Sequence, residues 1–101
     1  MVGEQVELDI ETLTWNALIE EHFARHHVTH ENVMAVLNNR PLVYENLPER
    51  GGSHLMIGRD DLGRILYISI RPTDAERIWE PVTGWESRFA RRLWNRERGD
   101  E

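Results

Sequence analysis

The side chains best suited to chemistry in this chain are imidazoles and guanidiniums, and the imidazoles are crowded. The stretch HFARHHVTH, His22 to His30, holds four of the five histidines, and the fifth is His54. Two histidines four residues apart on a helix, here His22 and His26, have the spacing with which zinc proteins set two ligands on one face. His30 lies beyond the helix break, so a third ligand would have to come from His54 or an acid. A zinc-protease helix needs a glutamate directly after its first histidine; Phe23 stands there and Glu21 precedes it, which excludes that enzyme class. The competing reading places His26 or His27 at a helix C-terminus, where the dipole favours a cation and an imidazole can bond free carbonyls. That structural role is preferred, so neither a metal nor a cofactor is expected.

All twelve basic residues are arginine, which excludes lysine chemistry such as a Schiff base. Cysteine is absent, which excludes disulfides and thiolate metal sites. The formal charge is −6, and residues 1–50 carry nine acids against three arginines while residues 51–101 carry nine against nine. The acid excess therefore lies in the first half.

The elements that must position these groups fit one domain spanning residues 1–101, with an ordered core over 13–98 and loose ends at 1–10 and 99–101. No apolar stretch approaches the roughly 20 residues that cross a bilayer, and the first residues lack the pattern of a secretory signal. A cytoplasmic protein without a membrane partner is expected.

TWNALIEEHFARHH places Trp15, Leu18, Ile19 and Phe23 near helical spacing behind an N-cap at Thr14. VTHENVMAVLNNRP starts a second helix at the N-cap Thr29, with Glu31 in its first turn, Val28 stapled to Val33, and Pro41 beyond its end. The two helices form a hairpin with a tight joint. The period then changes to two: PLVYEN, HLMIGR, RILYISIR and AERIWEPV read as strands, and Pro81 argues for an edge position. DDLG is a type I turn closed by Gly63 in the left-handed region. GWESRFARRLWNRER returns to helix. The expected class is α+β: a helical hairpin, a four-stranded mostly antiparallel sheet, and a C-terminal helix.

If Asp60 pairs with Arg64, Met56, Gly58, Leu66, Ile68 and Ile70 share one face of the central hairpin. Leu55, Ile57, Arg59, Ile65, Tyr67, Ser69 and Arg71 share the other. Helices can cover the first face. The second is expected to meet a partner, a ligand or the last helix, and a sheet with two apolar faces also makes a homodimer a candidate.

Three segments, LTWNALIEEHFARHHVTHENVMAVL, IGRDDLGRILYISI and ERIWEPVTGWES before an arginine-rich helix, resemble the BrnT-like toxins of bacterial type II toxin–antitoxin systems, in particular their shorter actinobacterial relatives. The resemblance covers roughly residues 13 to 94. It implies a RelE-like fold, a ribonuclease that slows translation, and a small DNA-binding antitoxin as partner. It makes Trp15, Asn16, His26, Val28 and Thr29 the scaffold of the helical joint, and matches Arg64 and Arg77 to basic positions of the family. The chain departs from the family pattern at two places: His27 stands where the family has glycine, and Gly84 and Trp85 stand where it has an alanine–arginine pair.

Cleavage of RNA by its own 2′-hydroxyl needs a base, an acid and cations for the developing phosphorane charge, and no metal. Arg59, Arg64, Arg71 and Arg77 are candidates for the charge, Tyr67 for stacking on a base, and His54 for proton transfer, although the register puts His54 on the opposite face. Arg64, Arg77 and His54 are thus the expected catalytic group, with Arg59, Tyr67 and Arg71 as substrate contacts. In the last helix Arg88, Arg92 and Arg96 recur at four-residue intervals; with Trp94 they are candidates for gripping an acidic antitoxin segment or an RNA backbone. The alternative is a catalytically inactive relative that acts as a protein-interaction module.

Overall fold

The computed structural model describes residues 2–47 and 51–99. In chain order the elements are β1 (Thr12–Leu13), α1 (Ala17–Ala24), α2 (His30–Asn38), β2 (Leu42–Glu45), β3 (His54–Arg59), β4 (Ile65–Pro72), β5 (Ile78–Glu86) and α3 (Arg88–Arg98). The sheet order is β1-β5-β4-β3-β2; β2 to β5 are antiparallel neighbours and β1 runs parallel to β5. The fold is α+β with a mixed five-stranded sheet, which corrects the expected four. Two residues are too few for β1 to show a period-two signal, and its pairing to Ile78 and Trp79 is long-range.

The central hairpin has the expected register. Asp60 N–H donates to the Arg64 carbonyl at 3.0 Å, and Gly63 takes φ +83°, which closes the turn without a Cβ clash. Met56, Leu66, Ile68 and Ile70 therefore face one way and pack with Phe23 of α1, Val33 and Val36 of α2, and Val28 between them. Ile57 and Ile65 face the other way, where with Leu42 and Tyr44 they pack against Ala90, Leu93 and Trp94 of α3. A fully buried side chain of this size contributes about 1.5–3 kcal/mol, so each face of the sheet is held by its own helical layer.

Local chemistry sets the helix ends. Asn16, rather than Thr14, caps α1, its Oδ1 accepting from Ile19 N–H at 2.9 Å. Leu18 is turned out to solvent, 80% exposed, and does not join the apolar face expected of it. Past α1, His27 N–H donates to the Ala24 carbonyl and Val28 N–H to that of Phe23, the paired bonds of a Schellman ending. His27 sits at φ +58° in the position where such endings favour glycine. Thr29 caps α2 as expected, and Asn32 answers it, its Oδ1 accepting from Thr29 N–H at 2.8 Å.

Two stretches differ from expectation. Residues Gly84 to Glu86 finish β5 and the last helix starts only at Arg88, capped by the Ser87 hydroxyl. A Cβ at Gly84 would lie 2.8 Å from Phe23 Cε2 and 3.0 Å from the Tyr67 carbonyl, so close packing of α1 on the sheet requires glycine there. Residues 3–10, part of a stretch expected to be loose, strap the sheet: Gly3 and Val6 donate to the carbonyls of Glu45 and Val43, and Val6, Leu8 and Ile10 pack on the core. Their alternation is the period-two signal that marks them. The RERGDE tail and the LPERGGSH loop lie partly outside the described residues. Among the described residues no helix is long and apolar enough to cross a membrane.

Candidate nucleic-acid interface

The arginines expected to converge are held apart by the sheet. Arg64 lies at the β3–β4 turn and Arg77 at the β4–β5 turn, separated by the whole of β4, about 23 Å at the usual rise per residue. Arg64 is committed at each of its three nitrogens. Nε donates to Asp60 Oδ2 at 2.9 Å, Nη1 to the His27 carbonyl and Nη2 to Asn32 Oδ1, both at 3.0 Å. It ties the hairpin turn to the joint between α1 and α2. Asp61 completes the network by accepting from Asn32 Nδ2 at 2.7 Å.

Arg77, at φ +64°, pairs with Glu11 at 2.9 Å and approaches Asp9, so it fastens the N-terminal strap. His54 lies on the face away from Tyr67, as the register requires, with its ring edge-on to Trp79 at 5.3 Å and Nδ1 bonded to the Ser53 hydroxyl. Arg71 ion-pairs with Glu80 across β4 and β5. Arg59 and Trp94 line one hollow with Arg40, Asn38 and Asn39. Trp94, read as either a core residue or an interface anchor, is 3% exposed and packs in the core under α3. Arg88, Arg92 and Arg96 are exposed, as their spacing suggested. The three residues expected to be catalytic thus do not share a site.

A different group does converge. Beyond Trp79 no described strand pairs with the outer edge of β5, and α1 packs along it. Phe23 turns inward over Gly84 while its neighbours reach the strand's other side chains. His22 Nε2 bonds Thr83 Oγ1 at 2.9 Å, and the His26 ring lies 5.8 Å from Trp85. Trp85 in turn stacks on Tyr67, with ring centroids 4.7 Å apart and planes at 24°. Arg25, His26, His27, Trp85 and Glu86 line an open hollow of about 540 Å³. Glu86 also belongs to an adjoining hollow with Ser87, Arg88 and Arg91.

Chemically this surface offers a half-buried aromatic platform, exposed imidazoles, and guanidiniums on both sides. Bases stack on aromatic side chains and arginine planes, while phosphates take guanidinium charge. His22 and His26 therefore face β5 as a pair. Among the described residues no three His, Cys, Asp or Glu side chains gather as a metal site. Sequence reasoning missed Trp85 because it was assigned to the last helix, and missed His26 as a site residue because its helix-end role was judged sufficient. The usable signal was Gly84 itself, a glycine inside an aromatic-rich strand, which marks close approach of another element.

No protein-family model matches the chain, and comparison with the curated proteins and with the solved structures gives no match.

Proposed function

We propose that this chain is a BrnT-like toxin of a type II toxin–antitoxin pair, with a RelE-like fold, that binds RNA on the α1–β5–α3 surface and cleaves it without a metal. The observation that carries this reading is the Tyr67–Trp85 stack with the His26 ring beside it, in a hollow shared with Arg25 and His27. A base held on Trp85 brings its sugar and phosphate among groups suited to the reaction. One imidazole takes the 2′-hydroxyl proton, a second protonates the leaving 5′-oxygen, and Arg25 with Arg88 and Arg91 stabilises the phosphorane charge. Arg64, whose Nη1 holds the His27 carbonyl, positions this corner and does not touch RNA. The exposed arginines of α3 suit an acidic segment of an antitoxin.

Inducing the chain in bacteria should halt growth and deplete RNA, and Trp85→Ala and His26→Ala should each relieve the arrest while leaving the fold intact. Normal growth with intact RNA at high expression would refute the nuclease. The second reading, an inactive relative that only binds a protein, is favoured by the structural commitment of Arg64 and the scatter of Arg77 and His54. It predicts capture of a small partner without toxicity.

A further inference from the structure

The proposed RNA surface contains one group whose charge works against a polyanion. Glu86 ends β5 and lines both hollows there, the one of about 540 Å³ with Arg25, His26, His27 and Trp85 and the adjoining one with Ser87, Arg88 and Arg91. Among the described residues it is the one acid lining either hollow. Three guanidiniums border the same space, yet none of them has Glu86 within ion-pair reach. The Glu86 side chain also takes no hydrogen bond among the described residues, so its lone pairs remain open to a ligand. By charge alone an exposed carboxylate lowers affinity for every nucleotide alike. It lowers it least for a base whose donors it matches.

The strand places this carboxylate beside the aromatic platform. Tyr67 covers one side of the Trp85 ring, with centroids 4.7 Å apart, which leaves the side toward the hollow for a base. Glu86 follows on the strand, its Cα about 3.8 Å from that of Trp85. Consecutive strand residues point to opposite faces, but no described strand pairs with β5 here, so both side chains border the same hollow. A base stacked on Trp85 therefore turns its edge, not its face, toward Glu86.

A carboxylate only accepts, and its two oxygens suit two parallel N–H groups. Guanine is the one RNA base whose Watson–Crick edge sets two donors side by side, N1–H and N2–H. Adenine and cytosine place a ring acceptor beside the amine, and uracil flanks N3–H with two carbonyls. Each of these brings a lone pair against the carboxylate.

We infer that this surface selects guanine, the Glu86 carboxylate accepting from guanine N1–H and N2–H while the base stacks on Trp85. The inference rests on the RNA-binding reading above and adds the base that it takes.

The test follows the Trp85 indole N–H in ¹H–¹⁵N spectra of the whole chain, its resonance identified by its loss in Trp85→Phe. The 3′-monophosphates of guanosine, adenosine, cytidine and uridine, which hold no bond to cleave between nucleotides, are titrated at constant ionic strength. Guanosine should bind about fivefold or more tightly than each of the others, the low end for a bidentate base contact. Glu86→Gln removes an exposed side chain that bonds nothing in the chain, so the fold is unaffected. Its amide offers one acceptor and one donor, a match to adenine, so guanosine binding should weaken while adenosine binding tightens. A purely electrostatic role would instead tighten all four alike, and that result overturns the inference. Four nucleotides bound equally by the unaltered chain, or another base preferred, also overturns it and leaves the RNA surface standing. An indole resonance unmoved by any nucleotide removes the surface itself, and the proposed function with it.

Discussion

An arginine carries five N–H donors and no acceptor, so its role is read from where those donors go. The donors of Arg64 go to a buried carboxylate, a backbone carbonyl and a buried amide. Asp60 has no exposed side-chain surface, and its other oxygen accepts from Leu62 and Arg64 N–H. Arg64→Ala would strand that charge, and breaking one side of a buried pair typically costs about 3–5 kcal/mol. Urea unfolding should show a loss of that order, and a loss under 1 kcal/mol would contradict the assignment. Tyr44 makes the opposite case. It is 4% exposed, its hydroxyl has no partner among the described residues, and burial, then Glu97, pushes its pKa up while Arg96 and Arg98 oppose. Tyr44→Phe should therefore stabilise by about 1 kcal/mol. The raised pKa means that the unfolded chain loses this proton first, so Tyr44 contributes full stability below its ordinary value of about 10. That contribution is lost as pH rises through the higher folded value, and the phenylalanine variant should lack this alkaline decline.

At the scale of elements, the joint between α1 and α2 answers why the histidines cluster. His27 ends a helix in the left-handed region, Val28 staples, Thr29 caps, and His30 opens α2 with its ring stacked on Trp15 at 4.7 Å. Replacing His27 with glycine removes the strain of a Cβ at φ +58° and should raise stability by about 1 kcal/mol, measured as a higher urea midpoint. At the other contact of α1, Gly84→Ala should lower stability by about 1–3 kcal/mol, because its Cβ must displace Phe23 or the β4 backbone. These elements also show what a sequence reveals. The hairpin register was readable because Asp60-Asp61-Leu62-Gly63 is a local turn signal and one slip would invert both faces. The cap at Thr29 and the staple residue Val28 are likewise local signals. Trp85 was not readable, because whether GWES extends a strand or starts a helix depends on Phe23, more than sixty residues away. Arg64 and Arg77 looked equivalent as guanidiniums, and only the length of β4 separates them.

At the scale of the molecule, a net charge of −6 means that the proposed RNA binding would depend on a local field rather than on the overall charge. The N-terminal half supplies the acid excess. The α1–β5–α3 surface gathers Arg25, Arg88 and Arg91 around the Tyr67–Trp85 stack, and neither Arg88 nor Arg91 pairs with a carboxylate among the described residues. Stacking and charge leave different signatures in salt. Each phosphate neutralised on a single strand adds about −0.7 to the slope of log K against log salt concentration, whereas stacking adds nothing. Three arginines in contact predict a slope near −2 for a short single-stranded RNA. Arg88→Ala and Arg91→Ala should each flatten it by about 0.7, and Trp85→Ala should weaken binding at every salt concentration by about 1–3 kcal/mol without changing the slope. Arg59→Ala, on the far margin, should leave both quantities untouched. Fluorescence anisotropy across a salt series measures all of these together. A slope insensitive to Arg88 and Arg91, or an affinity insensitive to Trp85, would move the RNA away from this surface, because no other half-buried aromatic pair described in the chain stacks beside exposed guanidiniums.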